Sequence, residues 1–346
     1  MQRSPCRTGW GPCIVLPMRK TPCVCALLCL WLAPAGLLAQ PDPTGPSAQS
    51  LDSAGSPSRS IGSPTAGELQ GGVALPAAGP GFMANPRRSA EARYGTIELI
   101  RTLMAAAAAS HPGGDAEPLV VNDISLQHGG PIPHHGSHQN GRDVDLLFFL
   151  TDLKGRPRPA VGAPLRPDGT GVDYHDLAIL EDDEPLRIDL PRTWHFIAAL
   201  LEHGGDQVQR IFIVEHLRTL LLREARRQQA PKALRQRFAD LACQPGTPHD
   251  DHMHVRFYCS VQDLQQGCLD KPPYYPFRRA QLARAGVQPA WAGQRTRAER
   301  RAAKARTVTP EQARKRAGEL HPTVVAFLEA RKAWQKKTTP PRRYCK

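Results

Sequence analysis

The run His249-Asp250-Asp251-His252-Met253-His254-Val255-Arg256 places two imidazoles at i and i+2 beside a pair of carboxyl groups. Alternate side chains of an extended backbone share a face, so His252 and His254 would enter one space while Met253 and Val255 pack behind them. A strand presents nitrogen ligands to a metal ion in this way. A second group lies upstream, in His134-His135-Gly136-Ser137-His138-Gln139-Asn140-Gly141-Arg142-Asp143-Val144-Asp145. A catalytic zinc site takes three protein ligands from histidine and carboxylate and leaves a fourth position for water. His138, Asp145 and His254 meet that requirement, with Asp143, on the same strand face as Asp145, as the rival ligand. Taken singly, each residue has an ordinary explanation, as an exposed loop histidine or a turn or ion-pair aspartate. Yet six of the 13 histidines (His134, His135, His138, His249, His252 and His254) fall in two segments bounded by apolar strands. Core packing does not account for that clustering.

The elements that must carry these residues are partly readable. Residues 129–141 hold glycine, proline and histidine without periodicity and read as a loop. They lead into 144–150, a continuous apolar run of strand length, so two neighbouring strands could close the site. Residues 96–110 place Ile97, Leu99, Ile100, Leu103 and Met104 ahead of five alanines, a helix by pattern and propensity. Residues 119–121 and 208–214 read as strands, and 193–202 as a helix opening near Asp189 and Pro191. Residues 216–229 read as an amphipathic helix with Arg218, Arg223, Arg226 and Arg227 on a wet basic face. This irregular order fits an α+β fold better than a doubly wound one. The expectation is a small, mostly antiparallel sheet carrying the metal site, flanked by helices and long loops, with a basic C-terminal extension.

Charge is distributed unevenly along the chain. The net charge is +13, but residues 277–346 hold 19 Lys or Arg against 4 Glu, which leaves residues 1–276 near −2. The body therefore has no general polyanion signature, and sparse aromatics in the basic tail give no base-stacking surface, so specific nucleic-acid binding is not expected. The tail reads as a solvated, partly helical extension, or as a tether to an anionic wall or membrane surface. Residues 1–39 read as an export signal with an alternative start at Met18: a basic Arg19-Lys20, an apolar run from Val24 to Leu32, and a cleavage site at Leu37-Leu38-Ala39. Export would place the chain in the periplasm. Residues 40–57, rich in Pro, Ser, Gly and Ala, read as an unfolded linker, 58–276 as the folded domain and 277–346 as the tail. Cleavage would leave Cys243, Cys259, Cys268 and Cys345, which allow three pairings. The favoured one joins Cys259 to Cys268, just after the His-x-His strand.

The two histidine segments together, His135-Gly-Ser-His138-Gln-x-Gly141-x-Asp143-Val-Asp145 and His249-x-x-His252-Met-His254-Val-Arg256, resemble the signature of the penicillin-insensitive murein endopeptidases. That family belongs to a wider zinc peptidase group with lysostaphin-like enzymes, D-alanyl-D-alanine metallopeptidases and the hedgehog domain. The resemblance extends through Ser60-Ile61-Gly62-Ser63, Arg93-Tyr94-Gly95-Thr96, Arg210-Ile211-Phe212-Ile213-Val214 and the Cys259/Cys268 pair, roughly residues 58 to 275. It implies that His138, Asp145 and His254 hold Zn2+, that His252 stands beside the metal-bound water, and that His135 and His249 line the cleft. His252 is then the first choice for general base or electrostatic stabiliser and His249 the second, with Asp250-Asp251 available to orient the imidazole. It further implies hydrolysis of D-alanyl-meso-diaminopimelyl cross-links in peptidoglycan. The absence of Ser-x-x-Lys agrees with indifference to β-lactams. The other readings of the same site are a D,D-carboxypeptidase and a catalytically silent, zinc-stabilised wall-binding protein. The sequence is silent on oligomeric state. Family members often carry cysteines where this chain has Glu68 and Leu222. Cys243 with Cys345 would be a replacement staple, which requires the tail to fold back.

Overall fold

Two strands pair so that their ionisable residues share one face and the other face is wholly apolar. Strand β15 (His252–Phe257) runs antiparallel to β8 (Asp143–Leu147), with His254 opposite Asp145, Val255 opposite Val144 and Arg256 opposite Asp143. Val144, Leu146, Met253 and Val255 enter the main core, while Asp143, Asp145, His252, His254 and Arg256 share the other face. Each fully buried Leu or Val on the core face contributes about 1.5–3 kcal/mol. Slipping the register by one residue would exchange the two faces, so core burial is what fixes the imidazoles in place.

The computed structural model describes residues 58–133, 135–173, 180–246 and 249–290, and single positions beyond, among them 318, 322–323 and 345. The export signal, the linker, His134 and most of the tail lie outside the described residues. Among those described, no helix is long and apolar enough to cross a membrane.

The chain opens with a hairpin of β1 (Arg59–Ser63) and β2 (Ala66–Gln70), followed by β3 (Val73–Ala74), β4 (Ala78–Gly79), β5 (Phe82–Ala84) and β6 (Tyr94–Gly95). Helix α1 (Ile97–Ser110) starts where Thr96 accepts a hydrogen bond from Leu99 N, and it buries Leu99, Ile100, Leu103, Ala106 and Ala107. Strand β7 (Leu119–Val121) precedes the site loop and β8. Beyond β8 come β9 (Leu150–Asp152), β10 (Pro157–Arg158), β11 (Thr170–Val172) and β12 (Pro185–Ile188). Asp189 caps α2 (Leu190–Gly204), which adds Trp194, Phe196, Ile197, Leu200 and Leu201 to the core. Then follow β13 (Val208–Phe212), α3 (Glu215–Arg227), α4 (Lys232–Leu241), β14 (Ala242–Cys243), β15, α5 (Val261–Gln265) and α6 (Pro276–Arg284).

The main sheet has the order β14-β13-β15-β8-β7-β5-β4, a mostly antiparallel arrangement in which only β13/β14 and β5/β7 are parallel. With helices on its core side, this is an α+β fold. A second sheet, β10-β9-β12-β11, adjoins the chain at Phe148-Phe149. The apolar run 144–150 is therefore two strands in two sheets. Both phenylalanines are buried at the crossing, so the run stays apolar throughout and hides the break. The basic face expected on α3 is also less wet than its pattern implies: Arg218 is buried, donating to Glu215 and to the Ala239 carbonyl.

A buried ionic cluster ties the edges of the site strands together. Arg142, just ahead of β8, donates to Ser60 Oγ, to the carbonyls of Phe257 and Leu269, and to Asp270 at 3.0 Å. Asp270 also accepts from Arg278 of α6 and from Cys259 N, so each charge in the cluster is paired. Disulfides join Cys259 to Cys268 and Cys243 to Cys345, and Cys345 N donates to the Gln244 carbonyl.

Candidate active site

Asp145 Oδ1 is the meeting point of the site. It lies 3.1 Å from His254 Nδ1, 3.3 Å from His138 Nε2 and 3.6 Å from His252 Nε2. Ligands bound to zinc at about 2.0–2.1 Å in a tetrahedron stand about 3.3 Å from one another. The separations of Asp145 from His254 and from His138 are of that size. His138 Nε2, Asp145 Oδ1 and His254 Nε2 are buried with no aligned hydrogen-bond partner. Leaving such a group unsatisfied costs about 1–3 kcal/mol, more if it is charged. Two overlapping sets of ligand atoms are close enough to hold one ion: His135, His138 and Asp145, and His138, Asp143 and His254. The residues thus fit a divalent cation by donor type, spacing and unmet bonding.

His138 reaches the site from the loop 129–141 with a left-handed backbone, φ 67°, an uncommon conformation for a side chain-bearing residue. The loop is held by Gln139 N donating to Pro64 O, and by Gly130 N donating to Gln139 O. His138 Nδ1 is 2.8 Å from the Ile124 carbonyl, which can only accept. The proton therefore sits on Nδ1, and Nε2 presents its lone pair to the site.

His252 and Asp251 form a second arrangement. The Asp251 carboxylate lies 2.6 Å from His252 Nδ1, which directs Nε2 toward Asp145. Asp250 instead offers its backbone carbonyl to Leu165 N. His249, also left-handed at φ 52°, places its ring 4.9 Å from His252 and 5.7 Å from His254. His135 contacts Asp123 at 2.7 Å through Nε2 and faces Asp145 at 3.5 Å through Nδ1. Asp123 is in turn paired with Arg88. Asp143, the rival ligand, is engaged by both Arg256 Nε at 2.7 Å and Nη2 at 2.8 Å.

Burial works against charge at Asp143, Asp145, His135 and His138, and neighbours set the balance. For Asp145 burial raises the pKa, but the charges of His138 and His252 hold it well below the usual carboxylate range. For Asp143 the opposing partners are Arg256 and His254, with the same outcome. Burial lowers the pKa of His138, yet the Asp145 carboxylate more than offsets it and the net shift is upward. His135 is pushed well down by burial and by the neighbouring His138, so it is neutral near pH 7.

The described residues His135, His138, Asp145, His249, His252 and His254 all line one cleft of about 710 Å³. Arg88, Asp123, Phe212 and Thr323 of the C-terminal segment also face it. Spacing alone missed Asp123, Arg88 and the Ile124 carbonyl. For Asp123 and Ile124 the one signal is position, two and three residues past the end of β7, where a strand delivers the chain to a loop.

The chain is 28% identical over 265 residues to the penicillin-insensitive murein endopeptidase of Klebsiella pneumoniae, covering 73% of this chain and 83% of that protein. The family model described as penicillin-insensitive murein endopeptidase matches residues 60–315, a span that contains both histidine segments and every strand of the main sheet. The chain is thus a member of the penicillin-insensitive murein endopeptidase family.

Proposed function

We propose that this protein is an exported, zinc-dependent endopeptidase that hydrolyses D-alanyl-meso-diaminopimelyl cross-links of peptidoglycan. The observation that carries the reading is the convergence, inside the cleft of a family member, of His138 Nε2 and Asp145 Oδ1, both buried without a hydrogen-bond partner, with His254 Nδ1 3.1 Å from Asp145. Bound zinc would lower the pKa of a coordinated water to about 7 and polarise the scissile carbonyl. The chain's own groups supply the rest. His138 and His254 hold their rings edge to face, 4.6 Å apart, so neither is free to turn away. His252, oriented by Asp251, is placed to accept a proton at Nε2 and deliver it to the departing amine. His135 and His249 line the same cleft. No serine nucleophile takes part, which accounts for insensitivity to β-lactams. The two disulfides fit an oxidising compartment, here the periplasm.

The test is conversion of purified cross-linked muropeptide dimers to monomers, with bound metal measured on the same preparation. Activity should disappear after exhaustive chelation and return with zinc. Full activity in metal-free protein would refute the zinc reading, and release of free D-alanine without monomers would make the protein a carboxypeptidase.

A further inference from the structure

Among the described residues, three arginines line the cleft: Arg87, Arg88 and Arg256. Two of them already have carboxylate partners. Arg88 pairs with Asp123 through Nε and Nη2, and Arg256 holds both oxygens of Asp143. Arg87 is exposed, and its guanidinium makes no ion pair or hydrogen bond among the described residues; its backbone N donates to Asn85 Oδ1 at 3.0 Å. The backbone beneath this free guanidinium is fixed. Residues 85–88 form a β-turn closed by Arg88 N donating to Asn85 O at 3.0 Å, with Pro86 at the second position, where its locked φ suits the turn. Asn85 N donates to Val121 O at 2.7 Å and Asn85 Nδ2 to Asn122 Oδ1 at 2.8 Å, which fastens one end of the turn to β7. The Arg88–Asp123 pair fastens the other end just past the same strand. Arg87 is the corner between these anchors. A planar fork of donors on a rigid turn, facing a cleft and unengaged, is suited to a carboxylate ligand.

We propose that Arg87 is a specificity-determining residue, which binds a carboxylate of the murein peptide through its guanidinium. This inference rests on the substrate proposed above and adds the group by which the cleft reads it. Position supports the assignment. Strand β5, which leads into the turn, lies beside β7, and β7 lies beside β8, the strand that carries Asp145. Two strand spacings are about 10 Å and an extended peptide advances about 3.3 Å per residue, so the turn stands within about three residues of a carbonyl held at Asp145. The proposed cross-link offers carboxylates over that span. Diaminopimelate keeps one on the carbon that bears the acylated amine, and the peptide chain ends in another. Arg88 cannot serve in the same way, because Asp123 already compensates its charge.

The test uses zinc-loaded, full-length protein and three cross-linked dimers: one with every carboxylate free, one amidated at the diaminopimelyl carboxyl and one amidated at the chain end. Cleavage is followed with Arg87 present or replaced, and binding is measured by calorimetry in the His252→Ala background, where turnover is suppressed. Arg87→Gln should weaken binding of the free dimer by about 10- to 100-fold, the size of a lost charge-assisted hydrogen bond, and raise KM with kcat little changed. On the dimer whose amide replaces the contacted carboxylate the same substitution should change binding less than twofold, and which dimer that is identifies the carboxylate. Arg87→Lys should fall between wild type and Arg87→Gln. Zinc content and the urea midpoint of Arg87→Gln should match wild type, since the side chain is exposed and unpaired. Binding of the free dimer within twofold of wild type in Arg87→Gln overturns the proposal, as does a loss of equal size on all three dimers. The two readings fail separately. Arg87-dependent binding with no cleavage by wild type refutes the endopeptidase and keeps the carboxylate site, whereas cleavage and binding indifferent to Arg87 do the reverse. A protein that binds none of the dimers overturns both.

Discussion

Among the site residues, His252 and His254 sit two positions apart on one strand face and differ in what their nitrogens meet. His254 is enclosed by Asp143, Asp145, His138 and Phe212, whereas His252 lines the cleft with Asp251 at its far nitrogen. On the proposed mechanism that contrast gives proton transfer to His252 and predicts separable effects. His252→Ala should lower kcat on cross-linked dimers at least 100-fold while the protein keeps one zinc, measured by metal analysis beside the assay. Loss of zinc in parallel with activity would make His252 a ligand instead. Sequence spacing made the strand pair, the shared face and the clustering legible. It left Asp143 as a rival to Asp145, since both lie on that face; in the structure the two differ in that Arg256 of the neighbouring strand pairs with Asp143.

Among the elements, the short helix α5 shows a carboxyl group placed against its charge. Asp263 sits in its first turn, accepts from Ser60 N of the opening hairpin and is buried. Burial pushes its pKa up to about 6, outweighing the Ser60 hydrogen bond. The unfolded chain has the ordinary carboxyl value near 4, so between roughly pH 4 and 6 the folded protein binds more protons than the unfolded one. Stability from this group is therefore full below that window and is lost as pH rises through it. In urea titrations the stability of the wild type should fall relative to that of Asp263→Asn by up to about 2 kcal/mol between pH 4 and 6. Equal slopes would show that Asp263 is ionised in the fold.

The elements were unevenly legible. Helices α1 and α2 follow from apolar spacing and from Thr96 and Asp189 as caps. The break between β8 and β9 does not, because Phe148 and Phe149 are as apolar as the strands they connect. Nor does the Arg142, Asp270 and Arg278 cluster, whose members are far apart in sequence and meet only after β8, β15 and α6 have assembled.

For the whole molecule, the basic excess beyond residue 277 is a property separate from the site. If it serves as a tether, binding of the full chain to purified murein sacculi should fall steeply with added salt, while cleavage of small soluble dimers should change little. Salt-independent binding would count against an electrostatic tether. The same segment is tied back to the body at Cys345, and Thr323 faces the cleft. The Cys243–Cys345 bond encloses a long loop, for which a crosslink contributes about 2–4 kcal/mol. Cys345→Ser should lower the urea midpoint by a corresponding amount and leave zinc content unchanged.

That bond also changes what a protease can do to the protein. The enclosed span 244–344 is dense in lysine and arginine, the residues at which trypsin-like enzymes cut. A single nick anywhere within it yields two polypeptides that stay joined through Cys243 and Cys345. Such a nicked molecule would migrate as one species on a gel until reduced, and its C-terminal piece would not be shed.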